Sequence, residues 1–440
     1  MLSRRSLLAS GAATAFLPAN LAAQILPPPG FGTPAGTYPF APEVFRERRR
    51  KVLEAIGDGV AVVYGAERAV FEGPVSPAFA QTGDFAWLTG IVDEPGAILI
   101  LAPTERTHRE YLLLPVREPE AERWEVERLP LGADIERRTG FAKVFRTSAL
   151  GGIMTTLAAR AKTLHFMGPI GSAEAPAPKA LELYGKVMAH VPGAVIKDAS
   201  ALLPALRCVK EPRELDQMQV AAAATAKGHL AAMRAVRPGW TEGQLQDVLE
   251  AGFRAGGGTG LAYGSIVGTG RNAASLHYTG RTGTIAADDL ILIDAGASVG
   301  GYACDVTRTF PASGKFTARQ REDYALVLAA HAAAAAKLRA GVFYEDLSEA
   351  AKDVFRKAGR IDEFTHGLGH FVGLDVHDAG DLAKPIPAGA VITIEPGLYA
   401  QSANAGIRIE DLYLVTANGA ERLSEGIPRT ADEIEAVMAG

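Results

Sequence analysis

Four acids and three histidines stand out for their type and spacing. Asp294 and Asp305 flank a glycine-rich turn in LILIDAGASVGGYACDVTRTF, residues 290–310. The run Leu290-Ile291-Leu292-Ile293 is apolar and β-branched, while Tyr302, Cys304, Val306 and Phe310 mark a second strand beyond Ser298-Val299-Gly300-Gly301. A hairpin closing about Val299-Gly300 sets Asp294 directly opposite Asp305, with Cβ atoms roughly 4.5–5.5 Å apart. At ~4 Å and an effective dielectric of 20, two carboxylates repel by ~4 kcal/mol. Either both acids are solvated at the hairpin end, or a cation sits between them. The chain contains the further ligands that a cation would need. HGLGHFVGLDVH holds His366, His370 and His377, three of the nine histidines. Gly367 and Gly369 disfavour the helix that an i, i+4 zinc pair would require, which leaves a loop whose backbone can approach a substrate. Glu395 ends the strand Val391-Ile392-Thr393-Ile394-Glu395 before Pro396-Gly397. In Ile407-Arg408-Ile409-Glu410-Asp411, alternation puts Arg408 and Glu410 on one face and the isoleucines on the other. Asp294, Asp305, Glu395, Glu410 and one imidazole therefore suit a dinuclear site, the four negative charges balanced by two divalent cations. Oxygen donors with one imidazole favour Mn²⁺, with Zn²⁺, Co²⁺ or Fe²⁺ as alternatives. Metals ~3.5 Å apart generate hydroxide at neutral pH and stabilise the oxyanion its attack produces.

The elements that must carry these residues recur in order. Glu211-Pro212 opens a long helix to about Val236, and Thr241-Glu242-Gly243-Gln244 is a capping box for a second helix to Ala255. Gly256-Gly257-Gly258 ends that helix, and no Lys-Ser/Thr follows to make a phosphate loop. The strand Ser265-Ile266-Val267 and the aspartate hairpin come next. Thr317-Ala318-Arg319-Gln320 then caps an Ala-rich helix, a further helix spans about Glu345 to Ala358, and strands follow at Val391–Glu395 and Ile407–Val415. Two such rounds of helix, helix and strands predict two pseudo-symmetric α+β halves with a site between them.

Upstream, residues 42–200 read as a separate α/β domain: a basic helix Pro42–Ala55, strands Val60–Tyr64, Ala97–Leu101 and Tyr111–Leu114, and a similar segment Leu164–Val195. Residues 1–25 have the form of a signal peptide, with Arg4-Arg5 ahead of a weakly apolar Ala-rich stretch, and the paired arginines point to the twin-arginine export route and a periplasmic address. Gly11, Pro18 and Asn20 interrupt that stretch, so no stable membrane anchor is expected. Residues 26–41, rich in proline, form a linker. With 440 residues, 22% charged and a net charge of −5, the chain has ample material for a large core and no basic face for nucleic acid. Its two cysteines, Cys208 and Cys304, cannot build a zinc-thiolate cluster; Cys304, beside Asp305, is expected as a buried core thiol.

The segments D-A-G-(x)8-D, H-G-L-G-H-(x)6-H, I-E-P-G-L-Y and G-I-R-I-E-D, in that order, resemble the pita-bread metallopeptidases, which include methionine aminopeptidase, prolidase and Xaa-Pro aminopeptidase (aminopeptidase P). The resemblance spans about Leu206 to the C-terminus and implies a catalytic domain over residues 206–436. It implies Asp294, Asp305, His370, Glu395 and Glu410 as metal ligands, with Asp305 and Glu410 bridging and Glu395 also shuttling the proton. It implies that His277, His366 and His377 contact substrate and take part in catalysis, with Tyr263, Tyr399 and Arg408 supporting the site. Phe85-Ala86-Trp87-Leu88-Thr89-Gly90 and Pro119-Glu120-Ala121-Glu122-Arg123-Trp124 resemble motifs of the aminopeptidase P amino-terminal domain. The fold expected is thus an α/β (α+β) chain with an aminopeptidase-P-like amino-terminal domain, of the kind creatinase shares, and a pita-bread domain. Creatinase relatives lack the metal ligands present here, which favours hydrolysis. The activity implied is removal of the first residue from proline-containing peptides (Xaa-|-Pro) by a hydroxide held between two metals, in a homo-oligomer of two or four chains. A prolidase restricted to dipeptides and a metal-free binding protein on the same fold are the alternatives.

Overall fold

A computed structural model describes residues 40–67, 79–124, 128, 130–400 and 405–440. The expected signal peptide and nearly all of the expected linker lie outside the described residues. The amino-terminal part is a six-stranded mixed sheet in the order β4-β3-β2-β1-β5-β6, formed by β1 (Val60–Tyr64), β2 (Ile98–Leu101), β3 (Glu110–Leu114), β4 (Val144–Arg146), β5 (Thr163–Phe166) and β6 (Val195–Asp198). β1 and β2 are almost wholly apolar and buried on both faces, as strands covered by helices must be. The helices that matter for the site are α1 (Pro42–Ile56), α2 (Gly83–Thr89) and α3 (Leu202–Cys208); the motif at Phe85–Gly90 is α2 with Gly90 as its left-handed cap.

The carboxy-terminal part contains the two expected rounds. α4 (Pro212–Ala235) begins at a capping box formed by Glu211 and Glu214, and α5 (Glu242–Ala255) at the one formed by Thr241 and Gln244. Short β7 (Gly260–Leu261) and β8 (Ile266–Thr269) lead to β9 (Leu290–Asp294), β10 (Ala297–Val299), β11 (Tyr302–Ala303) and β12 (Thr307–Pro311). The second round has α6 (Ala318–Ala335), capped by Thr317 and Gln320, α7 (Tyr344–Lys357), and then β13 (Val391–Ile394), β14 (Gly397–Ala400), β15 (Ala405–Arg408), β16 (Asp411–Val415) and β17 (Ala420–Arg422). One apolar core joins the rounds, with Phe253, Ile291 and Phe310 from the first and Phe355, Ile392 and Ile394 from the second. Among the described residues, no helix is long and apolar enough to cross a membrane.

Two local expectations are corrected. The hairpin turns at Gly300-Gly301, not Val299-Gly300, so Val299 pairs with Tyr302 and Asp294 with Thr307 rather than with Asp305. Both glycines have positive φ, 57° and 84°, the backbone that a tight two-residue hairpin turn requires and that Val299 would resist. Relative to the expected pairing the register moves by two residues, which preserves the face on which each side chain lies. Asp305 therefore still stands on the Asp294 side, diagonally rather than opposite. The stretch Ile407–Val415 is also not one strand: β15 pairs with β14, whereas β16 pairs with β13, and the chain breaks between them at Ile409-Glu410.

Candidate metal centre

Each acid sits where a strand stops. Asp294 is the last residue of β9, Asp305 lies between β11 and β12, Glu395 between β13 and β14, and Glu410 between β15 and β16. A strand end places a side chain reproducibly while freeing its carboxylate from the flat face of a sheet. One ligand atom from each of Asp305, His370 and Glu410 lies within 4.8 Å of the others. Glu395 Oε1 is 3.6 Å from His370 Nε2, and Asp305 Oδ2 is 3.4 Å from the same nitrogen. Asp294 joins through Tyr263, whose hydroxyl lies 2.5 Å from Asp294 Oδ1 and in hydrogen-bond contact with Asp305. The structure thus gathers Asp294, Asp305, His370, Glu395 and Glu410, drawn from both rounds of the fold.

The surroundings orient these groups. Arg408 directs Nη2 to Asp294 Oδ2 at 2.5 Å, Nη1 to the Tyr399 hydroxyl at 2.8 Å and Nε to Thr307 Oγ1 at 3.1 Å. Thr307 in turn donates to Glu410 Oε2 at 2.7 Å. His370 Nδ1 stands 3.1 Å from the Phe371 carbonyl, which assigns the ring proton to Nδ1 and turns Nε2 towards the acids. Thr307 and Thr393, whose hydroxyl receives the His370 amide at 3.0 Å, were not identified from sequence. The signal for Thr307 was present: two residues after Asp305, strand alternation puts it on the same face.

The electrostatics test whether cations fit. Burial, reinforced by Asp305, Glu395 and Asp294, pushes the Glu410 carboxyl well above its ordinary range. Burial also raises Asp294, against the pull of Arg408, and lifts Glu395 to about 7. Burial disfavours the His370 cation, yet Asp305 and Glu395 outweigh it and raise the ring to about 9. Every one of these shifts reports a demand for positive charge among the carboxylates. The single Tyr263 proton cannot satisfy two carboxylates at once, and His370 Nε2 stands among the acids, near Asp305 and Glu395. Oxygen donors, one imidazole and unmet negative charge fit a pair of divalent cations.

Around this floor stand three further histidines, His277, His366 and His377. His366 Nε2 is 2.8 Å from the Tyr399 hydroxyl and Nδ1 is 2.7 Å from the Gly367 carbonyl. A relay from Arg408 through Tyr399 to His366 accounts for all of these contacts, with the ring neutral: burial and Arg408 bring it down to about 4. His377 is exposed and its ring packs on His370, centroids 4.0 Å apart. His277 is exposed on the loop after β8. A buried, charge-hungry floor under an exposed imidazole rim can bind cations, activate water and hold a polar substrate from above.

Fold and site together define a metallohydrolase, and the comparisons specify which. Residues 216–417 match the model of metallopeptidase family M24, and residues 45–165 that of the aminopeptidase P N-terminal domain. The chain is 32% identical to the Xaa-Pro aminopeptidase of Escherichia coli (strain K12) over 439 residues, covering 90% of this chain and 97% of that one. It superposes on a putative aminopeptidase P from Bacillus anthracis with a TM-score of 0.84 at 28% identity, covering 91% of this chain and 99% of the other. A Zn-substituted E. coli aminopeptidase P in complex with product matches with a TM-score of 0.82 and 28% identity, over 91% and 98% of the two chains. The chain belongs to metallopeptidase family M24 and carries the aminopeptidase P type of amino-terminal domain. It is accordingly a metal-dependent aminopeptidase, a hydrolase that acts on peptides.

Proposed function

We propose that this aminopeptidase removes the first residue from peptides with proline in second position, and that Asp294, Asp305, His370, Glu395 and Glu410 would hold two divalent cations. The observation that carries the reading is the convergence of four acids and one correctly oriented imidazole from both rounds of the fold. When bound, such a pair of cations supplies an activated water and draws negative charge from the carbonyl under attack. Glu395, at its strand end, is the residue that would take a proton from an attacking water and deliver it to the proline nitrogen as the bond breaks. His377, on the rim, donates to the carbonyl oxygen as charge develops there. His277 contacts the substrate from its loop, and His366, held neutral by the Arg408–Tyr399 relay, lines the same space. Tyr263 and Arg408 keep Asp294 turned towards the centre.

The donor set favours Mn²⁺, with Zn²⁺, Co²⁺ or Fe²⁺ able to take the same ligands. The test is mass analysis of the products from matched Xaa-Pro and Xaa-Ala tripeptides, before and after chelation and Mn²⁺ addition. Release of the first residue from the Xaa-Pro peptide, lost on chelation and restored by Mn²⁺, is expected; equal cleavage of both peptides overturns the proline specificity. Export by the twin-arginine route to the periplasm is supported by Arg4-Arg5 ahead of the apolar stretch. Replacing both arginines by lysine should retain precursor in the cytoplasm, and unchanged export would refute the route. A dimer or tetramer is the assembly we expect in solution, measurable by light scattering.

A further inference from the structure

His377 lies in a segment secured from outside the carboxy-terminal domain. Two residues before it, Asp375 Oδ2 is 2.7 Å from Arg207 Nη2; immediately after it, Asp378 contacts the same nitrogen. Arg207 comes from α3, the helix at the domain junction, and its other terminal nitrogen, Nη1, is 2.6 Å from Asp84 Oδ1 on α2 of the amino-terminal domain. Lys210 completes the cluster, its Nζ 2.8 Å from Asp378 Oδ2. Arg207, Lys210 and Asp378 are almost fully enclosed, their side chains 6%, 1% and 2% exposed. The backbone closes in as well: a Cβ on Gly83, at the start of α2, would meet Asp375 Oδ2 at 2.1 Å and Arg207 Nη2 at 2.2 Å. Apolar packing follows the same path, with Leu374 set against the amino-terminal core that contains Phe85, Leu88 and Leu203.

A planar guanidinium that bonds acids on either side of a single histidine fixes the backbone on which that histidine turns. A lysine cannot reproduce the fork. We propose that Arg207 is a positioning residue through which the amino-terminal domain, by Asp84, sets the orientation of His377 over the reacting carbonyl. The inference rests on the substrate-contacting role given to His377 above. It assigns the amino-terminal domain a part in the chemistry.

The experiment is a double-mutant cycle between Arg207→Lys and His377→Ala in the metal-loaded full chain, read as kcat, KM and metal content. Arg207→Lys should lower kcat by about tenfold to a hundredfold, the cost of a displacement on the order of 1 Å at a reacting group, with KM and metal content nearly unchanged. In the His377→Ala background the same change should have no further effect on kcat. Equal losses in both backgrounds overturn the proposal while leaving the His377 role intact; His377→Ala with normal kcat overturns that role and the proposal together. Asp84→Asn, which leaves Arg207 two acidic partners, guards against misfolding of the lysine variant. It should show the same kcat-selective loss, and wild-type kinetics from a folded Asp84→Asn protein would refute the coupling.

Discussion

Tyr263 has one proton and two carboxylates within reach of it, and that mismatch is the centre in miniature. Asp294, Asp305 and Glu410 are held close enough to repel, and Arg408 and His370 bring positive charge to them from the protein. Asp305 accepts from Tyr263 and faces His370, so it stands in the middle of the acid cluster. Asp305→Asn is expected to abolish hydrolysis and lower bound metal while leaving the circular dichroism spectrum unchanged; near-normal activity at full metal occupancy would contradict the ligand assignment. Tyr399→Phe breaks the relay between Arg408 and His366 without touching an acid. It should reduce kcat by about tenfold or more while metal content holds, since only the orientation of a neutral imidazole is lost.

At the scale of elements, two buried histidines lie where helices meet the sheets behind the site. His229 on α4 bonds the Ala295 carbonyl at 3.0 Å, and His331 on α6 sits 3.5 Å from Asp411. Burial dominates both, bringing each down to about 4. Above pH 6.5 folded and unfolded chains both carry neutral rings; between 6.5 and about 4 only the unfolded chain takes up the proton. These two histidines therefore contribute a loss of folding stability as pH drops through that window, each by about 1.4 kcal/mol per pH unit at most, while the raised acid Glu395 contributes in the opposite sense. His229→Gln, which keeps a donor but cannot titrate, should shift the slope of urea-unfolding free energy against pH in the sense that removes this loss, relative to the parent chain; an unchanged slope would exclude His229 as a source. Thr317→Ala removes the side-chain cap of α6 and should cost about 1 kcal/mol in the same measurement, with activity intact.

At the scale of the molecule, the question is how far the cleft extends past the proline. A dipeptidase must close that end and neutralise a proline carboxylate. Between His366 and His377 there is no Arg or Lys, and Arg408 is already occupied by Asp294, Tyr399 and Thr307. Arg207 is likewise taken, by Asp84, Asp375 and Asp378. The expected outcome is a higher kcat/KM for an Xaa-Pro tripeptide than for the Xaa-Pro dipeptide, with the first residue alone released. Hydrolysis confined to the dipeptide would replace this reading with a prolidase.

The acids were legible in the sequence because each lies beside a strong local pattern. β-branched runs end at Asp294 and Glu395, and the alternation read across residues 407–411 sets Arg408 beside Glu410, although the strand itself breaks at Ile409-Glu410. Helix starts at Thr241 and Thr317 were legible for the same reason: a capping box acts over four residues. Even the hairpin register, expected two residues out, kept Asp305 on the correct face because side chains alternate with a period of two. What the chain alone could not disclose depends on partners far apart in number. Splitting Ile407–Val415 into β15 and β16 follows from pairing with two different strands, β14 and β13, and no local propensity records that choice. The relay from Arg408 through Tyr399 to His366 and the contact of Arg207 with both Asp84 and Asp378 were decided only by the tertiary structure. Each is a hydrogen bond of a few ångströms between groups whose approach the packed core, not the neighbouring sequence, determines.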